Sequence, residues 1–489
     1  MNPVLEYVMP ISVFRYFEAL CSIPHGSRNT KTISDFCAAF AESYHLEHWQ
    51  DSANNIVIVS PPYPGYENAE TIILQGHLDM VCEKEAWSHA DMSRDALELK
   101  LDGDFVSANG TTLGGDDGIA IAMMLAILQE TNIPHPRLEC VMTADEEIGM
   151  LGAAAFDASR LKGRRMLNLD SEAEGVLTAG CAGGCAAVAA LAPRWESAAG
   201  ADALHISIRG LTGGHSGIEI GKNRANANIL LGRILQAVAK ESPVRLVRVE
   251  GGMKDNAIPV SADAEFVTAA PLSVRRAVEL CAKELQAEFK AADPGLTIEV
   301  TDSVAVMCMD EESTKRVVRF LTSAPNGVQS MSPDLPGLVQ TSLNLGILRT
   351  EPQAVAASFC VRSSDANEKA ALLERLRVLA EGGGSRKKPG GASGQLRVSG
   401  DYPAWKYEPF SPVRQLCVDV FRDLYHTEPK VEAVHAGLEC GYFADKIRGL
   451  DCVSFGPDIL DIHTPRERMR VSSVQRVWRY LLEVLKRAK

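Results

Sequence analysis

The sequence predicts an α/β fold with a mostly parallel central sheet, interrupted in the chain by a long inserted domain. In the first third of the chain, short apolar segments typical of buried strands alternate with a longer apolar segment typical of a helix. The same alternation returns near the end, whereas the region between them is alanine-rich and then amphipathic. Because alternating strands and helices are typical of a sheet covered by helices, we expect one α/β domain split by an insertion.

The predicted elements of the first third come in the order strand, strand, helix, strand, strand. Each strand is a short apolar run, and the segment GIAIAMMLAILQE is long enough to form a helix. Their ranges are 55–60, 71–74, 118–130, 138–142 and 166–169.

Further elements are predicted in the insertion and after it. A strand with alternating faces and a helix fall in the insertion, and a strand and a helix follow it. Their ranges are 205–209, 226–240, 451–455 and 472–487.

A glycine-rich tract helps to define the domain boundaries. The segment EGGGSRKKPGGASG at 381–394 cannot pack tightly and predicts a mobile surface loop. We therefore predict an α/β domain formed by residues 1–184 and 397–489, and an inserted α+β domain at 185–396.

The composition argues against two classes of protein. The 489 residues include 50 Lys and Arg against 63 Asp and Glu, which gives a formal net charge of −13. Nucleic-acid-binding surfaces need positive charge to meet phosphates, so we expect no nucleic-acid partner. The longest apolar run, 118–128, is shorter than the ~20 residues that a membrane-spanning helix needs. We therefore expect no membrane association.

The first residues and the cysteines predict a cytoplasmic protein. The N-terminal segment lacks the basic head, the uninterrupted apolar block and the small-residue cleavage site of a secretory signal. The 12 cysteines form no Cys-x-x-Cys pair, and the two closest are Cys181 and Cys185. This pattern predicts reduced, buried thiols in a cytosol.

The first candidate metal ligand follows the strand predicted at 71–74. That strand runs into His77, Leu78 and Asp79, and the His-x-Asp spacing lets the carboxylate hold the second ring nitrogen of a metal-binding imidazole. A single His-x-Asp is more often a structural, hydrogen-bonded histidine. The tripeptide alone therefore leaves both interpretations open.

Two acidic clusters follow along the chain. Asp116 and Asp117 lie between glycines directly before the predicted helix, where capping explains one Asp but two adjacent charges favour a nearby cation. Asp145, Glu146 and Glu147 follow the next predicted strand. Three acids in a turn also fit a solvated loop tip, whereas near a divalent ion one Glu could bind the metal while its neighbour accepts a proton from water.

Asp170 and His463 complete the pattern, because each also lies beyond an apolar strand. His, Asp, Glu, Asp and His thus come from five separate loops. Ligands of open α/β sheets bind outside the carboxyl ends of the strands. Nitrogen and carboxylate ligands without thiolates suit Zn²⁺, Mn²⁺ or Co²⁺. The combined pattern predicts a metal site.

Seven motifs are spread over nearly the full length of the chain. In chain order they are SIPHGS (22–27), GHLDMV (76–81), TTLGGDDGIA (111–120), TADEEIG (143–149), NLDSE (168–172), GLTGGHSG (210–217) and IHTPRE (462–467). In order and spacing they resemble the motifs of the M20 family of di-zinc metallopeptidases, and within it those of the subgroup of aminoacyl-histidine dipeptidases.

The resemblance implies two divalent metal ions, most simply Zn²⁺ with Co²⁺ or Mn²⁺ as alternatives, in a catalytic domain with a mostly parallel sheet. One ion would be held by His77 and Asp170 and the other by Glu147 and His463, with Asp116 between them. The family often has Asn after the bridging Asp, where this chain has Asp117, so the bridging role is open between the two aspartates. The offset before the helix favours Asp116.

The resemblance also implies roles for residues that hold no metal. Asp79 would orient His77, and Glu146 would be the general base. No Ser or Cys lies in a nucleophile-elbow motif, so no covalent intermediate is expected. His25 matches a family position without an implied role.

For the insertion, the resemblance implies a lid and a homodimerisation domain. His215 would stabilise the oxyanion, in its own or the neighbouring subunit, and Asn256 and Arg362 would bind substrate.

The predicted function is hydrolysis of the peptide bond of unblocked dipeptides, notably Xaa-His dipeptides of the β-alanyl-histidine kind, with Glu146 as general base. Two alternatives remain open. The same metal centre could act on tripeptides or N-acyl amino acids, or the chain could be a non-catalytic binding protein that retained the fold.

Overall fold

The computed structural model describes residues 3–382 and 394–489. Within them the chain forms two units. The first contains the residues up to Cys181 together with Trp405–Ala433 and Leu438–Lys489, and the second contains the described residues of Ala182–Ala404 together with Val434–Gly437. The chain therefore leaves and re-enters the first unit twice.

The residues up to Cys181 contain the following elements. The strands are β1 (Glu47–Gln50), β2 (Ile56–Ser60), β3 (Ile72–His77), β4 (Leu99–Asp102), β5 (Phe105–Ala108), β6 (Leu138–Thr143), β7 (Arg165–Asn168) and β8 (Val176–Cys181). The helices are α1 (Ile11–Cys21), α2 (Lys31–Ser43), α3 (Gly115–Gln129) and α4 (Leu151–Ala155), with a 3₁₀ turn at Ala158–Arg160.

The inserted segment contains mostly strands. They are β9 (Gly183–Leu191), β10 (Trp195–Ser197), β11 (Asp202–Arg209), β12 (Gly214–His215), β13 (Val244–Gly251), β14 (Ala257–Ile258), β15 (Ala262–Thr268), β16 (Thr297–Ser303), β17 (Met307–Met309), β18 (Gly327–Met331), β19 (Val339–Thr350), β20 (Val355–Ser363) and β21 (Gln395–Tyr402). The helices are α5 (Ala227–Glu241), α6 (Pro271–Glu288), α7 (Glu311–Ser323) and α8 (Ala366–Glu381), with a 3₁₀ turn at Ile220–Lys222.

The last segment returns to the pattern of the first. Its strands are β22 (Lys430–Val434), β23 (Asp451–Ser454), β24 (Ile459–Leu460) and β25 (Arg468–Arg470). Its helices are α9 (Pro412–Tyr425), α10 (Cys440–Lys446) and α11 (Val471–Arg487).

The main sheet of the first unit has the order β1-β2-β6-β3-β7-β23-β8-β22. The central strands β6, β3, β7 and β23 run parallel, whereas β1, β2 and β8 pair antiparallel with their neighbours. The predicted α/β fold is confirmed, with a mixed sheet whose parallel part is central. In the register, His77 pairs with Thr143 and Gln75 with Asn168, so the carboxyl ends of β3, β6 and β7 lie side by side.

Helix α3 packs in the interior of the first unit. Its residues from Gly115 to Leu128 are all buried, as expected for a helix that is apolar on every side. The helix begins at Gly115, but Asp116 and Asp117 have non-helical backbone angles. The regular helix therefore starts at Gly118, where the apolar pattern begins.

The sheet of the second unit has the order β16-β11-β15-β13-β19-β20-β9-β21, with β18 on β19. Its described strand pairs are antiparallel, and α5 and α7 contribute apolar residues to the core beneath it. Strand β21 pairs with β9, which keeps the chain in this unit until Ala404 rather than until the predicted residue 396. The second unit begins at Ala182, so the predicted boundary at 184 falls three residues inside it. The second unit also contains Val434–Gly437, and no sequence pattern separates these four residues from their neighbours.

Two predictions concern other parts of the chain. None of the helices within the described ranges is long and apolar enough to cross a membrane. Most of the glycine-rich tract predicted as a mobile loop, residues 383–393, lies outside the described residues.

Candidate metal centre

The first of two candidate metal-binding groups consists of His77, Asp116 and Asp170. Nε2 of His77 lies 3.1 Å from Oδ1 of Asp116 and 3.6 Å from Oδ1 of Asp170. His77 ends β3 and Asp170 follows β7, its parallel neighbour, so the register of the sheet brings them together. All three residues are buried.

The second group consists of Asp116, Glu147 and His463. Nε2 of His463 lies 3.2 Å from Oδ2 of Asp116 and 2.9 Å from Oε1 of Glu147. Asp116 therefore belongs to both groups and turns one carboxylate oxygen to each. The side chain of His463 is 46% exposed, whereas those of Asp116 and Glu147 are buried, so the histidine side of this group is open to solvent.

The separations between these atoms fit metal ligation. Nitrogen and oxygen ligands about 2.0–2.1 Å from a tetrahedral Zn²⁺ are roughly 3.3 Å apart, close to the 2.9–3.6 Å found among these atoms. Nδ1 of His77 lies 2.9 Å from the main-chain oxygen of Asp79, an acceptor, so Nδ1 carries the ring proton when the imidazole is neutral. Nε2 then presents its lone pair to the two carboxylates, as a metal ligand must.

The titration of these groups reflects the concentration of negative charge. Burial opposes protonation of His77, but Asp170 and Asp116 raise its pKa well above the ordinary value. Hydrogen bonds to Asp116 and Glu147 raise the pKa of His463 to about 10. Cations in place of these protons would meet the same demand for positive charge.

Asp117, the second residue of the acidic pair, makes a different contact. Its Oδ2 accepts a hydrogen bond from the main-chain N–H of His77 at 3.1 Å, and it belongs to neither group. Asp116 is the aspartate that faces both histidines.

The carboxylate of Asp79 holds the loop that carries the two glutamates. It accepts hydrogen bonds from the main-chain N–H of Glu146 at 2.9 Å and of Glu147 at 3.3 Å, and from the hydroxyl of Ser27 at 2.8 Å. Its Oδ1 is 3.6 Å from Nδ1 of His77, so the closer acceptor for the imidazole is the main-chain oxygen of Asp79. The His-x-Asp spacing predicted that the carboxylate would hold Nδ1 of His77, but the main-chain oxygen takes that place, and the spacing did not predict the contacts with the glutamate loop.

Glu467 was not singled out by the sequence, although it ends the motif IHTPRE. Its buried carboxylate accepts hydrogen bonds from the main-chain N–H groups of Leu113, Gly114, Gly115 and Asp116, at 2.8–3.4 Å. These bonds fix the segment that carries Asp116.

Other acidic residues surround Glu146, the predicted general base. Burial and the neighbouring carboxylates raise the pKa of Glu146 well above its ordinary value. Burial also raises the pKa values of Glu172 and Glu439 to about 8. No sequence motif pointed to Glu439. His25 is buried with Nδ1 2.5 Å from the main-chain oxygen of Ile23, and belongs to neither metal-binding group.

In the second unit, the ring of His215 is held in one tautomer. Nδ1 accepts hydrogen bonds from the main-chain N–H groups of Gly217 and Ile218, both at 3.2 Å. Because Nδ1 is an acceptor, the proton of the neutral ring lies on Nε2, which is left as a donor. Burial lowers the pKa of His215 and so favours the neutral form.

Asn256 and Arg362 lie in the same unit as His215. The main-chain oxygen of Asn256 accepts a hydrogen bond from Ser216 at 2.8 Å, beside the pairing of β12 with β14. Arg362, on β20, donates from Nη1 to the hydroxyl of Tyr402 at 3.0 Å. Its Nε is buried and has no hydrogen-bond partner among the described residues. The pKa of His215 is lowered further by the charge of Arg362, which indicates that the two side chains are neighbours.

Residues 73–487 match the model of the family described as peptidase family M20/M25/M40. A curated relative, the cytosol non-specific dipeptidase of Escherichia coli, is 34% identical over 489 residues, which covers 99% of this chain and 98% of the relative.

Solved structures agree with this match. The aminoacylhistidine dipeptidase of Vibrio alginolyticus superposes with a TM-score of 0.91 at 32% identity, covering 99% of this chain and 98% of that one. Aminopeptidase PepT of Bacillus cereus has a TM-score of 0.57 at 14% identity, covering 98% and 99%, and shares the fold. The family model matches most of this chain, and the Escherichia coli relative is 34% identical over almost the full length. The chain therefore belongs to peptidase family M20/M25/M40 and is a hydrolase.

Proposed function

We propose that this protein is a metal-dependent dipeptidase that hydrolyses unblocked dipeptides, including Xaa-His dipeptides. The observation that carries the proposal is that Asp116 belongs to both metal-binding groups, with one carboxylate oxygen facing His77 and the other facing His463. Two cations that share one carboxylate are typical of hydrolytic metal centres.

The proposed ligands divide into two sets that share Asp116. His77 and Asp170 would hold one ion, and Glu147 and His463 the other. Bound ions would polarise the scissile carbonyl and lower the pKa of an attacking water. Zn²⁺ suits these nitrogen and carboxylate donors best, and Co²⁺ and Mn²⁺ are the alternatives.

Glu146 is the general base in this proposal. Its carboxylate accepts a proton from the attacking water and then delivers it to the nitrogen of the leaving amine. Its main chain is fixed by Asp79, and its raised pKa makes it a stronger base than an exposed glutamate.

The residues of the second unit serve the substrate. The Nε2–H donor of His215 stabilises the negative oxygen that develops on the carbonyl. The guanidinium of Arg362 pairs with the substrate carboxylate, and Asn256 provides a further polar contact. This role gives the unpartnered Nε of Arg362 an acceptor.

The choice of dipeptides rests on the relatives. The Escherichia coli protein is named a non-specific dipeptidase and the Vibrio alginolyticus protein an aminoacylhistidine dipeptidase, and both match this chain over almost its full length. Tripeptides and N-acyl amino acids are the competing substrates. A non-catalytic binding protein would have no need to keep Glu146 and the ligand residues together.

A cytoplasmic location and a homodimer formed through the inserted unit belong to the same proposal. The Escherichia coli relative is named a cytosol enzyme, and the cysteines of the chain are free thiols.

A substrate panel on the metal-loaded protein tests the proposal. We expect Zn²⁺-loaded protein to hydrolyse β-alanyl-histidine and ordinary dipeptides faster than a tripeptide or an N-acetyl amino acid. Faster hydrolysis of the N-acetyl amino acid or the tripeptide would favour the alternative substrates. Failure to hydrolyse any dipeptide with Zn²⁺, Co²⁺ or Mn²⁺ would overturn the proposal.

A further inference from the structure

A buried carboxylate, that of Glu439, contacts two of the strands that lead to the metal-binding groups. Glu439 immediately precedes α10 and is fully buried. Its Oε2 accepts hydrogen bonds from Nε2 of Gln75 at 2.6 Å and from the hydroxyl of Thr143 at 2.5 Å. Gln75 and Thr143 are themselves fully buried.

The hydrogen bonds continue from Gln75 to a third strand. Oε1 of Gln75 accepts from Nδ2 of Asn168 at 2.5 Å. Glu439, Gln75, Thr143 and Asn168 therefore form one polar network, which we call the carboxyl-end network. Three of its members lie near the carboxyl ends of the neighbouring parallel strands β3, β6 and β7.

Each of these strand residues closely precedes a residue of the proposed metal centre. Gln75 is two residues before His77, and Asn168 is two residues before Asp170. Thr143 precedes the loop of Glu146 and Glu147. A change in the network would therefore reach residues from both metal-binding groups.

We propose that Glu439 is a positioning residue of the metal centre: by accepting hydrogen bonds from Gln75 and Thr143, it fixes the ends of the strands that present His77, Asp170 and Glu147. The inference rests on the proposed metal-dependent function. It is argued from the direct hydrogen bonds of β3 and β6 to Glu439 and from the bond that links β7 to Gln75. No motif of the sequence marks Glu439.

The chemistry of the network explains why an acidic residue is suited to this position. Gln75 and Thr143 are buried donors that water cannot reach, so each needs an acceptor from the protein. Loss of Glu439 would leave both without their shortest hydrogen bond and allow the side chains to rotate. Partners outside the ligands typically alter metal affinity by about 10–100-fold when they are removed.

Helix α10 holds Glu439 in a fixed place. At the other end of the helix, Nζ of Lys446 donates hydrogen bonds to the main-chain oxygens of Ala153, Ala154 and Phe156 at 2.6–2.8 Å. The carboxylate is therefore presented from an element anchored at both ends within the first unit.

The same sheet provides a matched control, Glu139 on β6. Glu139 is also fully buried, but its carboxylate accepts hydrogen bonds from the main-chain N–H groups of Lys162 and Gly163, near the start of the strand. It belongs to neither metal-binding group and makes no hydrogen bond to a member of the carboxyl-end network. Substitutions at Glu139 thus test the loss of a buried glutamate without the loss of the network.

The test measures the dissociation constant of Zn²⁺ by chelator competition, together with kcat, KM and the thermal unfolding temperature. The variants are Glu439→Ala, Glu439→Gln and Thr143→Val, with Glu139→Ala and Glu139→Gln as controls. We expect Glu439→Ala to weaken Zn²⁺ binding about tenfold and to lower kcat at saturating metal. Glu439→Gln keeps an acceptor oxygen at this position, so we expect a smaller loss.

The outcomes separate positioning from stability. A more than threefold weakening of Zn²⁺ binding in Glu439→Ala, with the Glu139 variants below threefold, supports the inference. A smaller change in Glu439→Ala, or an equal change in Glu139→Ala, overturns it, whatever happens to the unfolding temperature. If Glu439→Ala does not fold, the same threefold limit applied to Glu439→Gln and Thr143→Val decides. Wild-type protein that binds Zn²⁺ but hydrolyses no dipeptide would instead contradict the proposed function.

Discussion

The two units hold their candidate site residues in different ways. In the first unit, the carboxylates of Asp79 and Glu467 accept hydrogen bonds from main-chain N–H groups and so fix the segments that carry Glu146 and Asp116. In the second unit, the buried Nε of Arg362 and the buried hydroxyl of Ser216 have no hydrogen-bond partner among the described residues. The carboxylates of Asp79 and Glu467 have their partners within the first unit, whereas these two donors of the second unit are left for a substrate to satisfy.

The difference teaches where preorganisation is needed. Groups that hold cations and move protons must be in place before substrate arrives, because misplaced charges cost rate. Groups that recognise a substrate can satisfy their donors with the substrate itself. Variants in the first unit should therefore affect kcat or metal content, and variants in the second should reveal interactions with substrate.

The largest expected effect comes from removing the general base. Glu146→Gln should lower kcat about 10³-fold, because the proton of the attacking water loses its acceptor. The Zn²⁺ content should stay at the wild-type value, since Glu146 belongs to neither metal-binding group. Steady-state kinetics and metal analysis check both parts, and Glu139→Gln serves as the control. Loss of metal together with activity would show that Glu146 acts as a ligand and not as a base.

A smaller effect is expected from His215, the donor in the second unit. His215→Ala should lower kcat about 10²-fold without changing the metal content, because one donor to the negative oxygen is lost. Mixing this variant with Glu146→Gln and measuring activity tests whether the site is shared. Recovered activity would assign His215 to a neighbouring subunit, and no recovery would mean that His215 serves its own subunit or none. An unchanged kcat would remove His215 from the reaction.

Arg362 should act on substrate binding more than on rate. Arg362→Ala should raise KM for dipeptides about 10- to 100-fold, as expected for the loss of a charged hydrogen-bonding partner. A dipeptide amide, which lacks the carboxylate, should show a much smaller change between wild type and variant. Equal changes for both substrates would mean that Arg362 does not recognise the carboxylate.

The mildest test changes pH and leaves the chain intact. The neighbouring carboxylates raise the pKa values of His77 and His463, that of His463 to about 10, and so favour the protonated imidazoles when no metal is bound. Each must lose its proton before it can bind a cation, so Zn²⁺ affinity should rise from pH 6 to pH 8 with release of protons. Calorimetry in two buffers of different ionisation enthalpy measures that release. Affinity independent of pH would contradict the assignment of both histidines as ligands.

Much of this fold could be predicted because the apolar segments are strongly patterned. The strand predicted at 55–60 is β2, and the helix predicted at 226–240 is α5, each within one residue. The edge strands β1 and β22 are short and less buried, so their composition carries little signal. The sheet is mixed because β2 pairs antiparallel with β6 and β8 pairs antiparallel with β23, and the apolar pattern of a strand does not reveal its direction.

The candidate ligands were predicted from polar side chains that follow apolar strands. The glutamates that fix the site through partners distant in sequence were not predicted. Glu467 lies more than 300 residues from the N–H groups that it accepts. Glu439 meets Gln75 across a similar interval. A sequence shows that a glutamate is charged, but not which buried donors the fold will bring to it.

The segment Val434–Gly437 has a consequence for how this architecture can be altered. Main-chain oxygens of Val434 and Ala436 accept from Ala182, and His435 lies 2.7 Å from the hydroxyl of Ser342, so four residues from the C-terminal part of the chain are built into the inserted unit. Deleting residues 182–404 and joining the ends would remove the partners of these residues, Ala182 and Ser342. The inserted unit therefore cannot be removed by deleting one continuous segment, and a shortened variant of this protein would also need a redesigned loop at Val434–Gly437.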